Sequence, residues 1–489
     1  MAQGHLDRLS ALDVSFLTNE SSSAHMHVGA VMIFEGPPPA YEDLLEHVRS
    51  RLHLVPRFRQ KLAYPPVETG RPFWIDDPTF NLEYHVRHSA LPSPGSEEQL
   101  RNMAARTFSQ QLDRTKPLWE LWLVQGLTRK RFALVSKTHH ALVDGVSGVD
   151  IATVLFDLKP VPEPVKAEHE WVPSPTPSRA ELAARGAEGL AKIPLALARR
   201  VERAVEHPRT TLKQMGEMAE AVGEVAWTFA NPAPEIPLNV PIGSHRRFHW
   251  VRSDLAQFKR IKDALGGTVN DVVLAVVAGG VRDWLHARGV RTEGMEVRVQ
   301  VPVSIRAGDE HGSLGNRITA MRAALPVYID DPVLRLERVR EQMADLKSSK
   351  QALGAEAISR LNDFAPPTLL AQAARINFST RLFNLVITNV PGPQLPIYLL
   401  GRELQDVFPV GFLPPDQAVF VAIMSYNGQI NFGLLADYDA LEDVDLIGDG
   451  IERSLAELLE RAEASRDEAA EDAGVESGAE AEEASPTEA

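Results

Sequence analysis

The run His139-His140-Ala141-Leu142-Val143-Asp144-Gly145 concentrates the groups in this chain that could do chemistry. Histidine, with an ordinary pKa of about 6.5, holds a lone pair ready to take a proton near neutral pH. An alcohol is a poor nucleophile until that proton leaves. A base beside a hydroxyl could therefore drive its oxygen onto an acyl carbonyl with no acyl-enzyme intermediate, which requires both substrates to be bound at once. A pattern HHxxxDG arises by chance in a chain of this size with odds on the order of one in a thousand, judged from average residue usage. The plainer reading of two adjacent histidines is a pair of satisfied core groups or metal ligands. Against it, no third ligand stands at suitable spacing, no GxSxG elbow or cysteine offers another nucleophile, and Gly145 leaves room for a ligand beside the backbone. Were the run helical, His140 and Asp144 would share a face as a base and its carboxylate.

The elements that must hold this run follow from periodicity. An extended stretch from His25 to Glu35 precedes a helix carrying Leu44, Leu45, Val48 and Leu52, and a second helix carries Leu100, Met103, Ala104 and Phe108. Two apolar stretches, Leu118 to Leu127 and Arg131 to Thr138, read as strands, and the second delivers the chain directly to the histidines. Prolines cluster between Lys159 and Pro177, forbidding a regular helix or central strand there. The segment Ala180 to Glu217 is helical in composition, with breaks at Pro194 and Pro208.

A second α/β run starts near Arg246, with Leu255, Phe258, Ile261 and Leu265 on one helix and a longer helix from Asn270 to about Arg288. Thr268 and Asp271 have the spacing of a capping box for that helix, while Asn270 could instead turn its amide toward a developing oxyanion. Val297, Val299, Val301 and Val303 alternate with polar residues as a strand does. Asn427-Gly428 supplies a tight turn between two apolar strands over Ala418 to Tyr438, and a last helix carries Ile451, Leu455, Leu458 and Leu459.

The motif HHALVDG resembles the HHxxxDG signature of the coenzyme-A-dependent acyltransferases that include chloramphenicol acetyltransferase and peptide-synthetase condensation domains. Further segments resemble the bacterial wax ester synthase/diacylglycerol acyltransferases in sequence and in order: LSALDVSFL (Leu9 to Leu17), HMHVGAVMIFEG (His25 to Gly36), KPLWELWLV (Lys116 to Val124), TVNDVVLAVVAGGVRDWL (Thr268 to Leu285), VPVSIR (Val301 to Arg306), LGN (Leu314 to Asn316) and NVPGP (Asn389 to Pro393). The likeness covers nearly everything from Leu9 to the last helix. It implies an α/β fold of two chloramphenicol-acetyltransferase-like domains with mixed sheets, joined by the proline-rich crossover and helix, with the reaction where they meet.

The resemblance also distributes roles. His140 becomes the catalytic base, Asp144 a structural residue that pairs with an arginine, and His139 and Gly145 shape the site. Asn270 and Asp271 matter for activity, and Pro117, Leu118 and Trp119 lie near an acyl tunnel, although these three could equally start a packed strand. The reaction implied is transfer of a long-chain acyl group from acyl-CoA, a substrate, to a fatty alcohol or diacylglycerol, with no permanently bound cofactor and no metal. Arg246 and Arg247 could meet coenzyme A phosphates or simply be solvated. Two other classes remain in view: a catalytically silent lipid-body or membrane-binding protein on the same scaffold, and a metal-dependent hydrolase using His139 and His140.

Size and composition bound the rest. A chain of 489 residues exceeds what one core usually organises. We divide it into an N-terminal domain over 1–158, a linker over 159–245, a C-terminal domain over 246–464 and an acidic disordered tail over 465–489. Of the net charge of -15, nine acids lie after Arg466 with no base among them, so the folded part is only mildly acidic and no nucleic-acid partner is expected. Cysteine is absent, which removes thiolate chemistry and disulfides. The N-terminus has no apolar stretch of signal-peptide length, and the longest apolar run, Val272 to Val281, is about half of a bilayer span. We therefore expect a cytoplasmic protein able to sit peripherally on a membrane or lipid droplet. The basic segment with Lys192, Arg199, Arg200 and Arg203 could meet anionic lipid or pack between the halves.

Overall fold

The computed structural model describes residues 6–66, 71–143, 155–161, 165, 171–187, 231–304, 318–348 and 379–483. The chain runs β1 (Asp7–Arg8), α1 (Ala11–Asn19), β2 (His27–Phe34), α2 (Tyr41–Arg51), β3 (Gln60–Ala63), β4 (Phe73–Asp76), α3 (Leu82–His85) and β5 (Val86–Ala90). It continues with α4 (Glu97–Phe108), β6 (Trp119–Leu127), β7 (Arg131–His139) and α5 (His140–Val143). The second half holds β8 (Arg246–Asp254), α6 (Leu255–Leu265), α7 (Val269–Ala287), β9 (Val297–Ser304), β10 (Ile318–Leu325) and α8 (Pro332–Ser348). The chain closes with β11 (Leu385–Pro391), β12 (Tyr398–Leu399), β13 (Arg402–Val410), β14 (Val419–Tyr426), β15 (Gln429–Asp437) and α9 (Val444–Glu483).

Two six-stranded mixed sheets organise these elements. The first has the order β12-β13-β2-β7-β6-β5 and the second β10-β9-β11-β14-β15-β8. Only β5 against β6 is parallel in the first sheet, while β11 runs parallel to both neighbours in the second. Along β9, Val297, Val299 and Val301 are buried while Arg298 and Gln300 are partly exposed, as period-two alternation requires. Asn427 and Gly428 carry φ of 43° and 85°, so the Asn-Gly turn joins β14 and β15 as expected. The apolar run of α7 is spent on a core shared with α9, through Val272 to Val281 and Ile447, Ile451 and Leu455. Among the described residues no single helix is long and apolar enough to cross a membrane.

Two boundaries depart from the sequence reading. Strands β12 and β13 belong by position to the second half, yet they complete the first sheet: β13 pairs with β2 from Leu404 opposite Phe34 to Val410 opposite Gly29. The C-terminal domain is therefore not the contiguous span 246–464. The crossing ties the halves together, since Trp250 of β8 stacks on Phe408 of β13 at 4.4 Å and Arg252 reaches both Glu97 of α4 and Asp406 of β13. At Gly433 a Cβ would lie 1.8 Å from the Pro409 carbonyl oxygen, so β15 and β13 approach as closely as they do because that residue lacks one.

The second departure is the tail, read as disordered from 465 but helical as part of α9 to Glu483. Alanine and glutamate are strong helix formers, so a segment of this composition extends an anchored helix without a core of its own.

Candidate active site

The strand β7 places the histidines because it is central in its sheet. Its register pairs His27 with His139 on one side and Trp119 with Thr138 on the other. Beyond the last rung two backbone bonds carry on the constraint: the His139 amide donates to the Leu118 carbonyl at 3.0 Å, and the His140 amide donates to the Met26 carbonyl at 2.8 Å. His140 then opens the short helix α5.

The His140 ring is walled by aromatics. Phe16 of α1 stacks on it at 3.9 Å and 21° between planes, and Phe412, just past β13, meets it edge-on at 5.6 Å. Phe412 in turn contacts Phe420 of β14 at 5.4 Å, so one ring separates His140 from the second sheet. The position of Phe16 is fixed by the start of its helix, where Ser10 and Asp13 exchange capping hydrogen bonds of 3.0 and 3.1 Å.

Enclosure sets the charge state. Burial, with a smaller contribution from neighbouring His139, lowers the His140 pKa to about 4. The residue still keeps part of its surface open, and its Nδ1 is buried without a hydrogen-bond partner. The polar group that acts on the ring is its own backbone carbonyl. Near neutral pH the imidazole is thus uncharged and able to accept a proton. The rate of any reaction that uses it as a base should stay flat as the pH falls from about 7.5 to about 5.5, where an ordinary histidine would have lost most of its basic form. Measuring kcat/KM across that range checks this, and an acid limb centred between about 6 and 7 would contradict it.

His139 points the other way, into a buried cluster. Its Nδ1 accepts from the Ala141 amide at 3.1 Å and its Nε2 lies 3.6 Å from Glu20. Glu20 also faces His27 Nε2 at 3.3 Å and accepts from Arg114 Nε at 2.7 Å. Burial alone would raise the Glu20 carboxyl, but the contacts with His139 and His27 outweigh it and hold the group ionised, well below the usual carboxylate range. Burial drives His27 to about 3, so it is neutral. The two adjacent rings therefore have separate surroundings and do not converge as paired ligands. Among the described residues no group of three or more His, Cys, Asp or Glu side chains is placed to hold a metal ion.

The remaining candidates divide. Asp144 and Gly145 lie outside the described residues, as does the basic segment from Lys192 to Arg203. Leu118 and Trp119 are wholly buried. The Trp119 indole donates to the Phe58 carbonyl at 2.8 Å and stacks on His85 at 4.7 Å, while Pro117 and Leu118 contribute backbone carbonyls to the strand junction. This trio is seated as packing that fixes the end of β7. Thr268 and Asp271 form the capping box of α7 with bonds of 2.8 and 3.2 Å. Asn270 accepts from the Asn389 amide at 3.2 Å, joining two of the sequence segments singled out above.

Arg246 is no phosphate ligand. It is buried, donates to the carbonyls of Gly243, His245 and Ser23, and has its pKa lowered to about 10 by burial against the pull of Asp437. Arg247 lies over the Tyr438 ring at 4.0 Å. Phe16, Phe412, Glu20 and Arg114 were not singled out from sequence. Only the placement of Phe16 within LSALDVSFL gave a hint of them.

Comparison with known proteins agrees with this arrangement. Residues 9–273 match the wax ester synthase/diacylglycerol acyltransferase catalytic domain, and residues 314–459 match the WS/DGAT C-terminal domain. The chain is 31% identical over 458 residues to "Probable diacyglycerol O-acyltransferase tgs1" of Mycobacterium tuberculosis, covering 93% of this chain and 96% of that one. It is 32% identical over 460 residues to "Probable diacyglycerol O-acyltransferase tgs2" of the same organism, covering 93% and 99%. The solved wax ester synthase/diacylglycerol acyltransferase of Marinobacter aquaeolei VT8 superposes with a TM-score of 0.65 at 28% identity, covering 93% of this chain and 99% of that one. A starter condensation domain of rhizomide synthetase shares the fold, with a TM-score of 0.55 at 13% identity over 94% of each chain. With its aromatic-walled, neutral histidine at the end of a central strand and both domain matches in order, the chain belongs to the wax ester synthase/diacylglycerol acyltransferase family and is an O-acyltransferase.

Proposed function

We propose that the protein moves a long-chain acyl group from acyl-CoA to a fatty alcohol or diacylglycerol by direct attack in a ternary complex, with His140 as the general base. The observation that carries this reading is the uncharged His140 ring, held at the strand end between Phe16 and Phe412. With its Nδ1 buried and out of reach of substrate, Nε2 is the nitrogen that would present a lone pair. As the hydroxyl proton passes to Nε2, the alcohol oxygen bonds to the thioester carbonyl carbon. The carbon–sulfur bond then breaks, and the departing thiolate takes the proton back from the imidazolium. Ester and free coenzyme A result, and the enzyme returns to its starting state.

Both substrates carry long apolar chains, so we place their encounter at a membrane or lipid-body surface reached from the cytoplasm. The decisive experiment offers purified protein labelled palmitoyl-CoA with hexadecanol and with diacylglycerol in parallel, following thiol release and separating the products. Ester in either arm, with initial-velocity lines that intersect, is the expected result. Parallel lines would indicate an acyl-enzyme and refute direct attack. Absence of ester with both acceptors would favour a silent lipid-binding role on this scaffold.

A further inference from the structure

The buried cluster behind His140 has a proton inventory that can be worked out. A backbone amide only donates, so His139 Nδ1, which accepts from Ala141 at 3.1 Å, must carry the lone pair. The neutral ring then holds its proton on Nε2. That nitrogen is buried, has no other hydrogen-bond partner among the described residues, and faces the Glu20 carboxylate at 3.6 Å. Ala141 supplies one of the first amides of α5, the short helix that begins with His140. Such amides have no partner within their own helix, and the His139 ring caps this one. Glu20 is itself anchored, by Arg114 at 2.7 Å and by its place just after α1, where its amide donates to the Phe16 carbonyl at 3.1 Å.

We propose that Glu20 is a positioning residue for acyl transfer: by keeping the proton of His139 on Nε2, it leaves Nδ1 free to cap the turn that carries His140. This rests on the reading of His140 as the base. It also gives the first histidine of the motif a task distinct from that of the second, and it explains why an ionised carboxylate sits sealed behind a neutral catalytic ring. Were Glu20 only a packing partner for Arg114, an uncharged isostere would serve equally well.

Glu20→Gln separates the two. With Arg114 holding the amide oxygen, that oxygen keeps the place facing His139 Nε2 and the amide nitrogen takes the place facing His27 Nε2, so the His139 proton loses a charged acceptor for a neutral one and is held on Nε2 less firmly. Long-range nitrogen–proton NMR of histidine-labelled protein, with His139 assigned by its loss in His139→Asn, reads the tautomer directly. The wild type should show the proton on Nε2, and Glu20→Gln should show a measurable share of it on Nδ1. In the same variant kcat should fall about 10- to 100-fold with KM within about twofold, the scale on which removal of a residue orienting an active-site histidine acts.

His139→Asn, whose side-chain oxygen can cap Ala141 without help, should retain about tenfold more kcat than His139→Leu, and adding Glu20→Gln to it should change kcat less than about twofold. A wild-type proton on Nδ1, an equal loss from Glu20→Gln in both backgrounds, or equal loss in His139→Asn and His139→Leu would overturn the proposal. The wild-type tautomer and the His139 pair decide it even if Glu20→Gln does not fold. Absence of any turnover in the wild type would instead sink the acyl-transfer reading, and the tautomer would still be measurable.

Discussion

Replacing His140 with alanine should lower kcat for thiol release by about 10²- to 10⁴-fold, the range contributed by a positioned general base. The substitution removes the lone pair that receives the hydroxyl proton and leaves the strand end intact, because the bonds that fix it run through backbone: His139 to Leu118 and His140 to Met26. Its stability penalty is the lost stacking on Phe16 and Phe412, about 0.5–1.5 kcal/mol for an aromatic pair beyond simple burial. A near-native urea midpoint with turnover reduced on that scale is therefore expected. Turnover within about tenfold of wild type would remove His140 from the role of base.

The second large effect concerns Trp119, and it is thermodynamic. Trp119→Ala should destabilise the protein by about 3–5 kcal/mol, since the indole is wholly buried between Phe58 and His85 and its truncation leaves a cavity. The Phe58 carbonyl also loses its donor, which adds about 1–3 kcal/mol if water cannot replace it. Because Trp119 begins β6 opposite Thr138, the loosening would reach the His139–His140 junction and reduce activity as well. Trp119→Phe discriminates between packing and tunnel contact. If the residue packs, this variant is destabilised but keeps the wild-type preference among acyl-CoA chain lengths; if it lines the tunnel, the preference shifts while the urea midpoint stays near wild type.

How much of this was legible beforehand depended on the range of the interaction responsible. The α7 cap was readable because Thr268 and Asp271 exchange their bonds within one turn of helix. The β14–β15 hairpin was readable because Asn427-Gly428 fixes its own dihedrals. Asn270 illustrates the limit. Its partner, Asn389, is distant in sequence, and neither residue alone indicates which way the amide turns. Arg246 misled for a related reason, since an arginine beside another arginine reads as solvated until three carbonyls close around it.

By itself the sequence determined where the paired histidines of HHALVDG lie, which strand delivers them, and the α/β alternation on either side of a proline-rich join, because these are properties of motif and short-range periodicity. Tertiary structure alone decided that β13 leaves its own half to complete the first sheet, that Phe16 and Phe412 wall His140, and that Glu20, His27 and Arg114 gather behind His139. The protonation of His140 belongs to that second group. A histidine's pKa is set by how completely distant segments exclude water from it, and no local pattern of residues encodes that exclusion.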